Sequence, residues 1–502
     1  MTTSQRPPRK GLPAASTVGL VFLILALLVP TVFSHRLLNS DGDVARHLVL
    51  GRHVMEHGIA FPDPFSHTRA GETFTAYEWL SEVLFALAEG LAGLPGVVAL
   101  GGLIIAGSLA LVAAYLRPRL EPLYAIPAVF VAAALTGPHW IARPHLFSFL
   151  ALSALLVLAT RRPDLRRHVG LGVLFAFWAN LHPGFLYGLA ILGAYLVGRV
   201  VEDRRRLGPA VASLGAASLG TLVNPLGWGL HLSIVHHLQD QRAFEMVDEF
   251  QRIDVTSGYG ILFVGVVLIL AVLLLGGRRD LGASTLLTVG AGLAAALVAQ
   301  RNAPLFGLFA LPVGLAAVGG LLGSWRWARL EKFRETLVRD DRRGTTRPWV
   351  GAGVGVGVLF AAVLAREPDL YPSASGFDPD VFPVEAVARA QEEGLGDLRM
   401  FNAYAWGGYI LHAWPEQRIY IDGMANFFGS DLMEEYVSVI NGVPGWEERI
   451  RERGIDLLLV PPQAPLVAEA VASGEWRLLH SDETASLLVR EDPPGPEPAG
   501  TA

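Results

Sequence analysis

A polytopic α-helical membrane protein of about eleven transmembrane helices, followed by a small extracytoplasmic α/β domain, is the fold class this sequence predicts. Three observations predict it. The 502 residues are 52 % hydrophobic and only 17 % charged, against the roughly 25 % charge of soluble domains. Apolar runs long enough to cross a bilayer recur along the first 365 residues. Charge is also segregated. Residues 366–502 hold 24 Asp and Glu against 9 Arg, so the preceding chain is net positive although the whole carries −6. This composition excludes a nucleic-acid binder, a disulfide scaffold and a disordered protein. Cysteine is absent, which removes thiolate metal sites. The only lysines are Lys10 and Lys332, so any phosphate clamp must use Arg or His.

The apolar runs fall at about 17–33, 97–116, 122–136, 145–159, 169–181, 184–201, 208–223, 259–276, 281–299, 303–323 and 349–365. Several are shorter than the roughly 20 residues a perpendicular crossing needs, so their ends are soft. The first follows Arg6, Arg9 and Lys10 and has no A-x-A site before His35, which reads as an uncleaved anchor. Basic connectors at 117–119, 161–167, 199–206, 278–279 and 326–347, with the N-terminus, hold 23 of the 40 Lys and Arg. The positive-inside rule places them in the cytoplasm, which requires eleven spans. The chain is then a multi-pass membrane protein with a cytoplasmic N-terminus and an extracytoplasmic C-terminal domain, and its excess of Arg over Lys suggests a GC-rich bacterium and hence an inner (plasma) membrane. The segment 79–93 would break this parity as a span and contains Glu82 and Glu89. It is expected at the outer interface. Thirteen of the 14 histidines fall on outer segments, all but His168. Either interfacial loops suit histidine, or one outer cavity collects them.

The domains expected are a transmembrane unit at 1–365 with a long first outer loop at 34–96, an α/β domain at 366–492 and a disordered tail at 493–502. The first loop is too long to be a mere connector, and such loops are usually functional. It carries Asp41-Gly42-Asp43 just past the first span, with Asp43 and His47 on one helical face. Two carboxylates this close to hydrocarbon need a cation, a proton or a metal. Asp41 also suits a helix N-cap, whereas Asp43, inside the first turn, does not. Tyr77-Glu78-Trp79 ends the loop. His53 and His57 have zinc-pair spacing without an H-E-x-x-H motif and read as a solvated face. Short outer connectors add Arg143 and His145, His182, and Arg301. A lone arginine beside hydrocarbon wants an anion, and a lipid headgroup or a substrate phosphate would each serve.

From 384 the pattern alternates. Helix is expected at 384–393, 406–412 and 465–473, and strand at 398–401, 419–421, 457–460, 476–480 and 486–490. Asp422 follows one strand at the end where open α/β sheets place ligand groups, although a plain turn with Gly423 is the favoured reading. Tyr404 and Trp406 lie in Tyr404-Ala405-Trp406-Gly407-Gly408-Tyr409, either at a site or packing the domain onto the membrane. No nucleotide motif is present.

Together these pieces resemble the GT-C superfamily of membrane glycosyltransferases, which includes protein O-mannosyltransferases, aminoarabinose transferases and oligosaccharyltransferase catalytic subunits. The likeness is architectural over most of the chain. At residue level Asp41-Gly42-Asp43 looks like the acidic motif of the first outer loop. The 404–409 stretch is faintly similar to the W-W-D-x-G element but lacks its Asp. The resemblance implies a sugar donor on polyprenyl phosphate, presented by membrane lipid, and inverting transfer to an unspecified cell-envelope acceptor. It implies Asp43 as general base or polarising carboxylate. Asp41 would orient the acceptor or, with Asp43, hold a divalent cation such as Mg or Mn. Arg143, His145 and Arg301 would stabilise the departing phosphate, and His47, Glu78 and His182 are further substrate- or phosphate-binding candidates. A transporter or flippase would show mid-span charges and repeated halves; the sequence has few of the former and no clear repeat. A non-catalytic protein that binds lipid-linked glycans stays open, as does an O-antigen-type ligase or polymerase.

Overall fold

A computed structural model describes residues 17–237, 248–278, 281–325, 330–343 and 376–491. The expected span at 349–365 and the expected tail at 493–502 lie outside the described residues. The other expected spans all coincide with helix. In chain order these elements are α1 (Thr17–Val32), the short α2 (Ser34–Asn39), α3 (Asp43–His57), α4 (Trp79–Ala92), α5 (Leu94–Leu116), α6 (Pro122–Thr136), α7 (His145–Ala159), α8 (Leu165–Leu181), α9 (Phe185–Glu202), α10 (Leu207–Gly220), α11 (Gly229–His237), α12 (Gly258–Gly276) and α13 (Ala283–Val298). Among the described residues, four helices are long and apolar enough to cross a membrane: Leu94–Leu116, Pro122–His139, Phe185–Glu202 and Gly258–Gly276. Val21–Val32, His145–Ala159 and Ala283–Val298 are apolar but shorter. The expected crossing at 303–323 is interrupted. Ala303–Leu305 leads into a π turn at Phe306–Ala310 and then α14 (Leu311–Ala317). Pro312 has no N–H to continue an α ladder, and the Leu311 N–H reaches back to the Phe306 carbonyl instead.

The helix connectors sort to two ends. At one, Arg334 pairs with Glu121 (2.6 Å), Ser284 donates to Glu202 (2.7 Å) and Arg167 donates to Ser213 (3.0 Å). At the other, Trp79 donates to Asn180 (2.9 Å), the Ala142 N–H to the Leu37 carbonyl (2.9 Å), and the Gln300 N–H to the Gln251 carbonyl (2.8 Å). The segment between α3 and α4 closes as a two-stranded ribbon, β1 (Ala60–Pro62) against β2 (Thr73–Thr75).

Residues 376–491 form a four-stranded sheet flanked by helices. Its strands β3 (Met400–Asn402), β4 (Leu457–Val460), β5 (Trp476–Ser481) and β6 (Ser486–Arg490) lie in the order β3-β4-β6-β5, with only β3 and β4 parallel. β4 is apolar throughout because both faces are covered. Leu458 and Val460 pack with Phe401 and Leu488, and Leu457 and Leu459 with Met400 and Val489. The strand expected at 419–421 is not in this sheet. Ile419 bridges Ser66 of the α3–α4 loop instead, exchanging hydrogen bonds of 3.0 Å with Phe65 and His67. The loop supplies the backbone partners that the sheet edge would otherwise have provided.

Candidate functional site

α3 starts at the acidic triplet. Asp41 Oδ1 accepts the Asp43 N–H at 2.9 Å, while its Oδ2 accepts from Arg143. One side chain thus makes both the turn that leads into α3, whose N-cap position is Gly42, and the charge pair. Arg143, 102 residues further on, lies in the connector between α6 and α7. Its Nη2 meets Asp43 Oδ2 at 2.9 Å and its Nη1 is 3.5 Å from Glu249 Oε1. The arrangement is not sealed: Asp41 and Arg143 are each 22 % exposed. Burial pushes the Asp43 carboxyl up to about 7, against the pull of Arg143 and with the help of Asp41, Asp422 and Glu249. Burial works against the Arg143 charge too, but the surrounding acids outweigh it and hold that guanidinium above its usual range.

One turn along α3, His47 Nδ1 faces Glu82 Oε1 of α4 at 3.2 Å, both buried. The two helices approach closely because Gly51 has no side chain; a Cβ there would lie 2.1 Å from the Glu82 carbonyl oxygen. Glu78 precedes Glu82 by one turn, and its Oε1 is 3.5 Å from His182 Nε2. His182 Nδ1 accepts the Gly184 N–H at 2.9 Å and is 2.8 Å from Ser148 Oγ, which in turn accepts from Trp178. This leaves the His182 proton on Nε2, toward Glu78. Burial raises Glu78 to about 7, opposed by Arg143 and Arg301. Burial also raises Glu82 well above the usual carboxylate range and lowers His47 and His182 well below theirs. Arg301 lies 4.5 Å over the Phe250 ring, and its pKa is lowered by burial. His145 Nε2 donates to the His139 carbonyl at 2.7 Å.

The C-terminal residues close directly over the triplet. A Cβ on Gly42 would fall 1.7 Å from the Ala405 carbonyl oxygen, and one on Gly423 would fall 1.6 Å from Asp43 Oδ1. Only glycine admits these approaches. Beside them Arg46 Nε lies 3.0 Å from Asp422 Oδ2, at 1 % and 0 % exposure. Among the described residues neither of these two atoms has a hydrogen-bond partner, so they meet as charges rather than in aligned geometry. The guanidinium sits 4.4 Å over Phe65. Burial raises the Asp422 carboxyl, and Arg46 draws it down.

The structure therefore brings Asp41, Asp43 and Arg143 into contact, sets His47, Glu78 and His182 around them, and leaves Arg301 and His145 within their electrostatic reach. Tyr404 borders Asp43, whose charge adds to burial in raising the phenol. Asp422 is occupied by Arg46. Trp406 points away: its Nε1 donates to the Val381 carbonyl (3.1 Å) inside the domain core. Sequence reasoning missed Arg46, Glu82 and Glu249 as members of the cluster. Glu82 carried a signal, its one-turn spacing from Glu78. Glu249 carried none beyond its place in a connector expected to lie outside. Among the described residues, two sets of three ligating atoms lie within 4.8 Å of one another, His47/Glu78/Glu82 and Glu385/His480/Asp482. Asp41 and Asp43 are in neither; the positive charge facing both is that of Arg143.

No family model matches the chain, and no curated protein matches it. Solved structures do. An oligosaccharyltransferase from Archaeoglobus fulgidus in its apo form is 13 % identical over 88 % of this chain and 68 % of its own, with a TM-score of 0.53. The archaeal oligosaccharyltransferase AglB of the same organism, in complex with an inhibitory peptide and a dolichol-phosphate, gives 13 %, the same coverage and 0.55. ArnT from Cupriavidus metallidurans bound to undecaprenyl phosphate is 13 % identical over 95 % of this chain and 99 % of its own, at 0.51. At this identity the likeness is one of fold: the chain shares the fold of these oligosaccharyltransferase and ArnT structures, two of the kinds of enzyme the sequence resembles.

Proposed function

We propose that this protein is a membrane glycosyltransferase that moves a sugar from a polyprenyl-phosphate-linked donor in the bilayer to an acceptor outside the cytoplasm. The observation that carries the reading is the meeting of Asp41, Asp43 and Arg143, contributed by segments on either side of four helices. The fold supports it, and two of the similar structures hold a lipid phosphate. In this reading the chain crosses the inner membrane eleven times. Residues 1–365 form the transmembrane unit, and the domain from 366 covers the site on the extracytoplasmic side. The sorting of arginine-rich connectors to the end opposite Asp43 supports that orientation.

Asp43, with its carboxyl raised to about 7, is placed to take the acceptor hydroxyl proton as the sugar is displaced in one inverting step. Among the described residues the Arg143 guanidinium meets the carboxylates of Asp41, Asp43 and Glu249, and a phosphate is a competing bidentate partner. Donor binding would draw the guanidinium from Asp43, free that carboxylate to act as base, and place positive charge where the departing phosphate develops its own. Asp41, tied to the α3 backbone, positions Arg143. The Arg143 guanidinium supplies the positive charge that faces the acidic triplet. The reading is tested by lipid-phosphate binding. Purified protein in detergent should bind a polyprenyl phosphate, and Arg143→Gln should weaken that binding by at least about tenfold, the value of one charge-assisted contact. Equal affinity in the variant would remove Arg143 from the donor site.

A further inference from the structure

His47 and Glu82 face each other in the interior of the α3–α4 contact, at 2 % and 1 % exposure. Glu82 uses one oxygen toward His47 (3.2 Å), and its second, Oε2, is buried with no hydrogen-bond partner among the described residues. A buried carboxylate oxygen without a donor costs free energy unless something positive or protonated meets it. Glu78 stands one turn before Glu82 on the same helix. The candidate ligating atoms of His47, Glu78 and Glu82 all lie within 4.8 Å of one another. Atoms bound to one ion at about 2.0–2.2 Å stand roughly 3.0–3.5 Å apart, a separation His47 Nδ1 and Glu82 Oε1 already have at 3.2 Å, so Glu78 must swing in by about 1–2 Å at most to complete the set. His182 lies behind Glu78 with its Nε2 proton toward that carboxylate, at 3.5 Å. A neighbour of this kind fixes a ligating carboxylate in place.

We infer that His47, Glu78 and Glu82 form a buried divalent-cation site, separate from the Asp41–Asp43–Arg143 arrangement, that takes a first-row transition ion such as Zn2+ or Mn2+. One imidazole with two carboxylates suits these ions, whereas Mg2+ prefers an all-oxygen shell that keeps several waters. The bound ion ties α3 to α4 and meets the orphaned Glu82 oxygen. This inference does not rest on the transferase reading, since its readouts are metal content and stability.

The test uses the full-length protein in detergent, stripped with a chelator and then incubated with Zn2+ or with Mn2+. Bound metal is measured after desalting, and the unfolding temperature with and without it. One ion per chain and a raised unfolding temperature are expected. His47→Gln and Glu82→Gln should each lose most of the bound ion, and His182→Ala should weaken it by about 10- to 100-fold through loss of the carboxylate's support. Asp43→Asn should retain it. His480→Gln should retain it too, which separates this site from the exposed Glu385/His480/Asp482 group. If a glutamine variant does not fold, the wild-type stoichiometry and the Asp43 and His480 variants still decide. The inference is overturned by wild-type protein that holds no stoichiometric ion, by an ion that survives in His47→Gln and Glu82→Gln, or by one that is lost with His480 or Asp43.

Discussion

Two guanidinium–carboxylate arrangements meet α3 within one turn of each other, and they differ in almost every physical respect. Arg46 and Asp422 are 1 % and 0 % exposed, one against one, capped by Phe65. Arg143 faces three acids, Asp41, Asp43 and Glu249, and keeps 22 % of its side chain open. A sealed pair has no room for a ligand and repays its desolvation only while both partners remain. An open group with surplus acid can exchange one partner for another. The first arrangement fastens the C-terminal domain to α3, and the second is available for chemistry.

This contrast is most easily broken at the sealed pair. Arg46→Ala, which leaves Asp422 buried alone, should cost about 3–5 kcal/mol, seen as a large fall in unfolding temperature or as loss of folded protein. Arg46→Met combined with Asp422→Leu should recover much of that loss. The open arrangement should behave in the opposite way. Asp43→Asn should reduce sugar transfer by about 10²- to 10⁴-fold, the usual worth of a positioned base, with the unfolding temperature nearly unchanged. A variant that lost stability and kept its rate would merge the two classes.

Gly423→Ala lies between them. Its Cβ would fall 1.6 Å from Asp43 Oδ1, so the carboxylate or the 422–424 turn must move. Overpacking of this kind costs about 1–3 kcal/mol, and transfer should fall with it. Thermal unfolding and transfer rate, measured on one preparation, check both effects.

The pH dependence follows from the direction of the Asp43 shift. Its carboxyl is raised to about 7, so the carboxylate that serves as base is lost as pH falls through that value. The transfer rate should drop about tenfold per pH unit below 7 and level above it. The charges facing Asp43 are those of Arg143, which lowers the value, and of Asp41, Asp422 and Glu249, which raise it. Glu249→Gln, the smallest change, should move the acid limb slightly downward and alter stability by less than about 1 kcal/mol, as expected of a part-exposed rim charge. A pH–rate profile of both proteins decides this, and an acid limb that moved upward would contradict it.

Much of this was legible in the sequence for a physical reason. Charges beside hydrocarbon are costly, so Asp41, Asp43, Arg143 and Arg301 stood out from the runs that flank them. The helices were legible from apolar length, and β4 and β6 from short apolar runs between turn signals. What was not legible depends on contacts between distant segments. Arg46 looks like one more polar residue on an amphipathic helix until Asp422 arrives from the far end of the chain. Residues 419–421 have strand character, but whether the partner is the sheet or Ser66 is not encoded within them. Trp406 shared a motif with Tyr404, yet the one-turn geometry at 404–406 sends the two rings to different places.

The most direct test is transfer itself. Purified wild-type protein is presented with a panel of polyprenyl-phosphate-linked radiolabelled sugars and a bacterial envelope extract as acceptor, beside Asp43→Asn of matched unfolding temperature. The expected result is label moved by the wild type from at least one donor and about 10²-fold or more less by the variant. Equal transfer by the two proteins, or none by the wild type from any donor, would contradict the assignment of Asp43 and Arg143 to a sugar-transfer site.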